Sequence, residues 1–394
     1  MIDTGTGALV VAGAKVFPIV LSNGPPPGGT APSGRSGLAE VAAGGVNMIR
    51  SGSGNWSIEL ADGQITEERS VLDAAGGHGL HCWTWLGNVP NLPAQPGSAN
   101  EQLLVKIIDA LKGHPALAAW KGIDEPALSS VPPAGLVRAY QRLHALDAVH
   151  PLVIIEAPLG SVASLSPYSA ALDVTGADIY PVSYPPGAHA GGTNIDISVV
   201  GDVTRKMMQA AGGKPVWATL QIAWSGVLPP AHVPRFPNLL EERFMAYQAI
   251  VAGARGLAFF GGHLTQLMRP ADIQLGWNWT FWERVLQPLV NELSSTAIAP
   301  ALVAPAANVT ITANAGDIDL ATRQADGFLY LIVVRRGNPT SQVTFTGLPA
   351  GIGGGEVLFE YAQGRFRQVT VTGSSFHDWF GPHNSHVYRF PHQP

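Results

Sequence analysis

Asp124 and Glu125 stand side by side at the end of the apolar run LAAWKGIDEPAL, residues 117–128, in a chain of which only 13% is charged. A carboxyl group against apolar surroundings keeps its proton toward neutral pH, and an ionised neighbour pushes the same way. Such a pair has the makings of general acid–base chemistry. The structural alternative is a surface turn in which Glu125 caps the following segment. Two more carboxylates end apolar runs, Glu156 in VIIEAP and Asp178 in GADIYPV. The 12 histidines form no HxH or HExxH cluster, so neither a catalytic metal nor any cofactor is expected.

Composition limits what these groups act on. A formal net charge of -5 and the lack of any Lys/Arg run argue against nucleic acid and anionic membrane surfaces, and no run of 18 apolar residues suggests a membrane span. A neutral partner fits better. Ten tryptophans, 46 glycines and 32 prolines describe a loop-rich chain with many flat apolar faces, of the kind sugar rings or other neutral ligands pack against. Cys82 is the single cysteine, which excludes an intrachain disulfide. The opening residues show no basic segment followed by an apolar stretch and a small-residue cleavage site. The expectation is a secreted or periplasmic protein whose signal peptide lies outside this sequence, with a cytoplasmic protein as the alternative. Nothing in the pattern sets an oligomeric state.

The elements that must position the carboxylates follow a repeating order. Strand-like apolar runs begin at VFPIVLSNG (16–24), VNMIRSG (46–52), LHCWTWLG (80–87), LAAWKGIDEP (117–126), PLVIIEAP (151–158), VTGADIYPV (174–182), KPVWATLQIAW (214–224) and GLAFFGG (256–262). Helix-like segments lie between most of them, ANEQLLVKIIDALKGHP with its Gly-His-Pro stop being the clearest. Nearly all-apolar strands alternating with helices point to a parallel sheet buried on both faces. Eight such units fit a closed (β/α)8 barrel over residues 1–297. From 298 to 394 the pattern changes to alternating segments such as FLYLIVVRR and SQVTFTGLP, which predict a small antiparallel β-sandwich. Trp279 and Trp282, at helical spacing, read as a core stripe, as does Trp120.

In a barrel of this type the C-terminal strand ends converge on one mouth. Asp124 and Glu125 then meet Arg50 from strand two, Trp83 and Trp85 from three, Glu156 from five, Asp178 and Tyr180 from six, Gln221 and Trp224 from seven and His263 from eight.

With these strand ends in view, KVFPIVLSNG, GGVNMIRSG, HPALAAWKGIDEP, GADIYPV and FMAYQAIVAGARGLAFFGG resemble (β/α)8 glycoside hydrolases related to clan A. The resemblance covers nearly the whole barrel, and the C-terminal segment is similar to the accessory sandwiches that often follow it. It implies a carbohydrate substrate and carries the general acid/base role onto Glu125. The sequence departs from the family at strand seven, where the retaining enzymes hold a nucleophilic glutamate and this chain has Gln221. Asp178, Glu156 and Asp124 are the candidates for the second carboxylate. The Asp124–Glu125 pair also resembles the β-hexosaminidase arrangement, in which the aspartate orients a substrate acetamide that itself attacks the sugar. A non-hydrolytic carbohydrate-binding barrel is the third reading. Arg50, Trp85, Glu156, Tyr180, Gln221, Trp224 and His263 are the expected substrate contacts. A phosphate site at the mouth is disfavoured, because the last two strands offer no glycine-rich nest and no basic residue beyond Arg255.

Overall fold

A computed structural model describes residues 1–184, 192–222, 233–260 and 279–392. Its centre is a closed barrel of eight parallel strands: β1 (Ile19–Leu21), β2 (Met48–Ser51), β3 (His81–Trp85), β4 (Leu117–Lys121), β5 (Leu152–Glu156), β6 (Val174–Ile179), β7 (Val216–Gln221) and β8 (Leu257–Phe260). Closure comes from β8 pairing with β1, Leu257 opposite Ile19. Two tryptophans fill much of the barrel's inside. Trp83 and Trp217 lie with ring centroids 6.0 Å apart among Val20, Met48, Val153, Val174 and Ala258. Gly176 lets β6 and β7 approach closely beside them, since a Cβ there would stand 1.9 Å from the Trp217 carbonyl oxygen. A short hairpin, Leu9–Val11 with Ala14–Val16, precedes β1 and sends Leu9 into the same interior cluster.

The helices start where side chains can satisfy their first amides. In α3 (Ala99–Leu111) the Ser98 hydroxyl accepts from the Glu101 amide while Glu101 accepts from the Gly97 amide. In α7 (Leu239–Ala252) Asn238 and Glu241 form a reciprocal capping box, and Gly253, at φ 114°, ends the helix in the left-handed region. The outer faces of the strands and these helices share one large apolar cluster, which includes Trp282; Trp279 and Trp282 are both buried.

The C-terminal part is a sandwich of two antiparallel sheets. A five-stranded sheet contains Ile318–Ala325, Phe328–Arg335, Ser385–Pro391, Gly354–Ala362 and Arg365–Thr370, in that spatial order, and a three-stranded sheet contains Thr312–Ala313, Ser341–Thr346 and Ser375–Phe380. Ser375–Phe380 reads poorly as a strand because its inward face sets Asp378 between Phe376 and Phe380 while its outward face carries a 61% exposed Trp379. Asp378 is drawn inside by Arg367 and by the Tyr388 hydroxyl at 2.8 Å. The far face of the five-stranded sheet adds Tyr330, Ile332, Val334 and Val387 to the barrel's outer cluster. Arg243 on α7 extends the contact by donating to the Ser385 carbonyl.

Candidate active site

The end of β4 makes a tight turn. Glu125 has a φ of 46°, which for a residue with a Cβ costs about 1–2 kcal/mol. The turn is held from below: the Glu125 amide donates to the Ile155 carbonyl at 2.9 Å, and the Ala127 amide donates to the Glu156 carboxylate at 3.0 Å. Strain held by surrounding contacts is a mark of a site whose geometry matters.

Alternation along the strands decides which side chains reach the mouth. Ala177 packs into the outer cluster, so Asp178 turns inward. There it lies near Glu125 and the Tyr180 hydroxyl, close enough for both to act on its carboxyl, while its Oδ1 is buried with no hydrogen-bond partner. Burial and the charge of Glu125 push the Asp178 carboxyl up to about 7. Burial also raises Glu125, with Asp178 acting in the opposite sense. Together the two carboxyls hold one proton well above the ordinary carboxylate range. The Tyr180 ring stacks on Phe260 of β8, centroids 5.5 Å apart and 21° from parallel.

Lys121, the last residue of β4, is the group that sequence reasoning missed. It is 3% exposed, forms an ion pair with the half-exposed Asp124, and has its ammonium 5.1 Å from the Trp85 centroid and 6.0 Å from that of Trp83. Burial lowers its pKa and Asp124 opposes that shift. The one available signal was a lysine inside an otherwise apolar strand, AAWKG. Arg50 comes from β2, donates to the Asn23 side chain, and lies 5.0 Å from the Trp85 centroid. Two cations therefore face the same indole. Beneath them Glu68 of α2 (Ala61–Gly76) accepts from the Thr84 hydroxyl at 2.9 Å and the Gly52 amide at 2.7 Å, tying the ends of β2 and β3 together.

Glu156 and Gln221 are not presented to the mouth in the same way. Val153 and Ile155 belong to the interior cluster, so Glu156 alternates outward; it is 1% exposed, and its Oε2 takes the Ala127 amide. Burial lifts its carboxyl to about 7. Gln221, also 1% exposed, clamps the backbone of Val182, accepting from its amide at 2.8 Å and donating to its carbonyl at 3.0 Å. Both ends of its amide are in use. Trp224 and His263 lie outside the described residues. Among the described residues, no three His, Cys, Asp or Glu side chains are placed to hold a metal, and no helix is long and apolar enough to cross a membrane.

The site thus brings the carboxyls of Glu125 and Asp178 together, with Lys121, Asp124, Arg50, Trp85 and Tyr180 around them. No protein-family model and no curated protein matches the chain. Solved structures do. One is a glycoside hydrolase family 5 protein from Bacteroides vulgatus, at 15% identity and a TM-score of 0.64, covering 100% of this chain and 95% of that one. A second, described as a glycoside hydrolase, matches at 14% identity and a TM-score of 0.59, covering 100% and 98%. A third, a GH27 β-L-arabinopyranosidase from Geobacillus stearothermophilus, matches at 11% identity and a TM-score of 0.57, covering 97% and 98%. The chain shares the fold of these barrels. The shared fold runs through the sandwich as well as the barrel, since each match covers nearly the whole of both chains.

Proposed function

We propose that the protein is a glycoside hydrolase in which Glu125 is the general acid/base and Asp178 the second carboxylate. The observation that carries this reading is the meeting of the Glu125 and Asp178 carboxyls at the ends of β4 and β6, each acting on the other's protonation and both raised by burial. Cleaving an acetal requires a proton for a poor leaving group and an anion to meet the positive charge developing at the anomeric carbon. One shared proton meets both needs. As that positive charge grows beside Asp178, its anion is stabilised, its proton passes to Glu125, and Glu125 delivers a proton to the departing oxygen. Asp178 then bonds to the anomeric carbon. In the second half Glu125 takes a proton from water, whose oxygen displaces Asp178, and the pair returns to its starting state.

The contact between the two carboxyls supports retention. Retaining pairs stand about 5–5.5 Å apart and inverting pairs about 6.5–9.5 Å, the wider gap admitting a water. Carboxyls that act on each other's protonation this strongly fit the shorter spacing. Asp124, bound to Lys121, neutralises that buried cation in this reading. Arg50 and Lys121 against Asp124 and a singly charged pair leave the mouth close to neutral, which suits an uncharged sugar. Trp85 and Tyr180 supply apolar faces beside it.

Aryl glycosides and polysaccharides screened with the parent chain, Glu125→Gln and Asp178→Asn test the proposal. The expected result is hydrolysis by the parent with retained configuration, followed by proton NMR, and loss of at least a thousandfold in kcat in each variant. Hydrolysis by the parent that survives Glu125→Gln within tenfold overturns the assignment. A parent that binds sugars and cleaves none overturns the enzyme reading.

A further inference from the structure

At the opposite end of the barrel a cavity of about 720 Å³ lies between the starts of β6, β7 and β8 and the first long strand of the sandwich, Ile318–Ala325. Asp173, Lys214, Arg255, Ala306 and Arg323 are among the residues lining it. Its size is that of a small-molecule site. Its charges are unbalanced. Asp173 is engaged by the Tyr140 hydroxyl, His144 and the Leu152 amide, and Asp3, also on the wall, by Thr6 and Lys15.

The cations have no such partners. Arg323 is 6% exposed, and its one hydrogen bond among the described residues runs from Nη1 to the carbonyl of its own neighbour Thr322 at 2.9 Å. Arg255 donates to the carbonyls of Ala304 and Leu302, and Lys214 to those of Ser169 and Leu172. Among the described residues none of the three has a carboxylate within salt-bridge distance, although those residues form 21 such pairs in all. Arg255 and Arg323 are close enough for their charges to oppose each other. A buried guanidinium is ordinarily paired, and its fork of donors matches a carboxylate or phosphate.

We infer that the barrel base carries an anion-binding site in which Arg323 and Arg255 grip the phosphate or carboxylate group of a small molecule. Met208, Val251 and Pro215 on the same wall would pack its less polar part. The site is separate from the mouth and does not rest on the proposed hydrolase activity.

The test is thermal unfolding of the full chain in increasing sodium phosphate, and separately sodium acetate, against sodium chloride at matched ionic strength. The parent chain and Glu125→Gln should both show a saturable rise in Tm with at least one of the two anions, and the anion that acts identifies the preferred head group. Arg323→Met and Arg255→Met should each weaken the apparent affinity at least tenfold. Arg323→Met is expected to fold because an apolar side chain replaces a buried cation with no carboxylate partner, and Arg255→Met because it removes a half-buried cation whose partners are two carbonyls. Isothermal titration of the same anions gives a readout independent of Tm. A parent Tm that follows ionic strength alone, with no heat of binding, overturns the inference. So does a rise that persists unchanged in both arginine variants, or one that Glu125→Gln abolishes.

Discussion

Replacing Asp178 by asparagine should make the protein more stable in alkaline solution, even though it removes a group placed at the centre of the site. In the folded chain the Asp178 carboxyl is pushed from 3.8 up to about 7, first by burial and then by Glu125. In the unfolded chain it ionises near its ordinary value. Between those two values unfolding releases a proton, so each pH unit lowers the stability of the parent by about 1.4 kcal/mol from this group. The contribution is fully present below about pH 4 and is lost as pH rises through about 7. Three units give about 4 kcal/mol as a ceiling, reduced because Glu125 shares the same proton. Asparagine cannot ionise, and its amide can still donate to Glu125. Urea unfolding of both proteins from pH 5 to pH 8.5 should therefore give curves that diverge with rising pH, the variant leading by about 2–4 kcal/mol at the alkaline end. A difference that does not change with pH, or a variant that is the weaker protein at pH 8, would refute the placement of a buried shared proton on this pair.

Four further outcomes follow from the same geometry. Glu156→Gln keeps the acceptor for the Ala127 amide and removes a carboxyl raised from 4.5 to about 7, so its stability relative to the parent should grow between those pH values and level off above about 7, measured by the same unfolding series. Glu156→Ala deletes that acceptor and should destabilise by about 1–3 kcal/mol while lowering kcat more than it changes KM, because the strained Glu125 turn loses its support. Lys121→Met removes a cation that favours ionised Glu125, so the limbs of the pH–rate profile should move to higher pH, with little change in folding stability. Gln221→Glu, which restores the carboxylate expected at strand seven, should lose the hydrogen bond to the Val182 carbonyl and set two acceptors against each other. It should cost about 1–3 kcal/mol in urea unfolding and give no gain in hydrolysis rate.

The architecture was legible from the chain because its causes are local. Apolar runs long enough for a strand, separated by amphipathic helices with their own caps, specify parallel strands covered on both sides, and eight of them close. All eight observed strands lie within the predicted segments. The same strands hide which side chains face the mouth. A strand buried on both faces carries no polar–apolar alternation, so PLVIIEAP gives no sign that Val153 and Ile155 point inward and Glu156 outward. A shift in register between β3 and β4, at Cys82 and Trp83 opposite Leu117 and Ala119, sits beneath the placement of Lys121 between two indoles. In Ser375–Phe380 the alternation was present but blurred by an aspartate that partners far along the chain draw inside.

Sequence by itself determined the strand ends, and with them the set of residues able to meet: Glu125, Asp124, Asp178, Arg50, Trp85 and Tyr180. Their residue types already carried acid–base and apolar-face chemistry. Only the tertiary structure decided that Asp178 and Glu125 act on each other's protonation, that Gln221 is committed to the Val182 backbone, and that Arg255 and Arg323 come together with no carboxylate in salt-bridge reach among the described residues. These are contacts between segments far apart in the chain. Protonation and pairing depend on distance and burial, which the order of residues does not express until the barrel has closed.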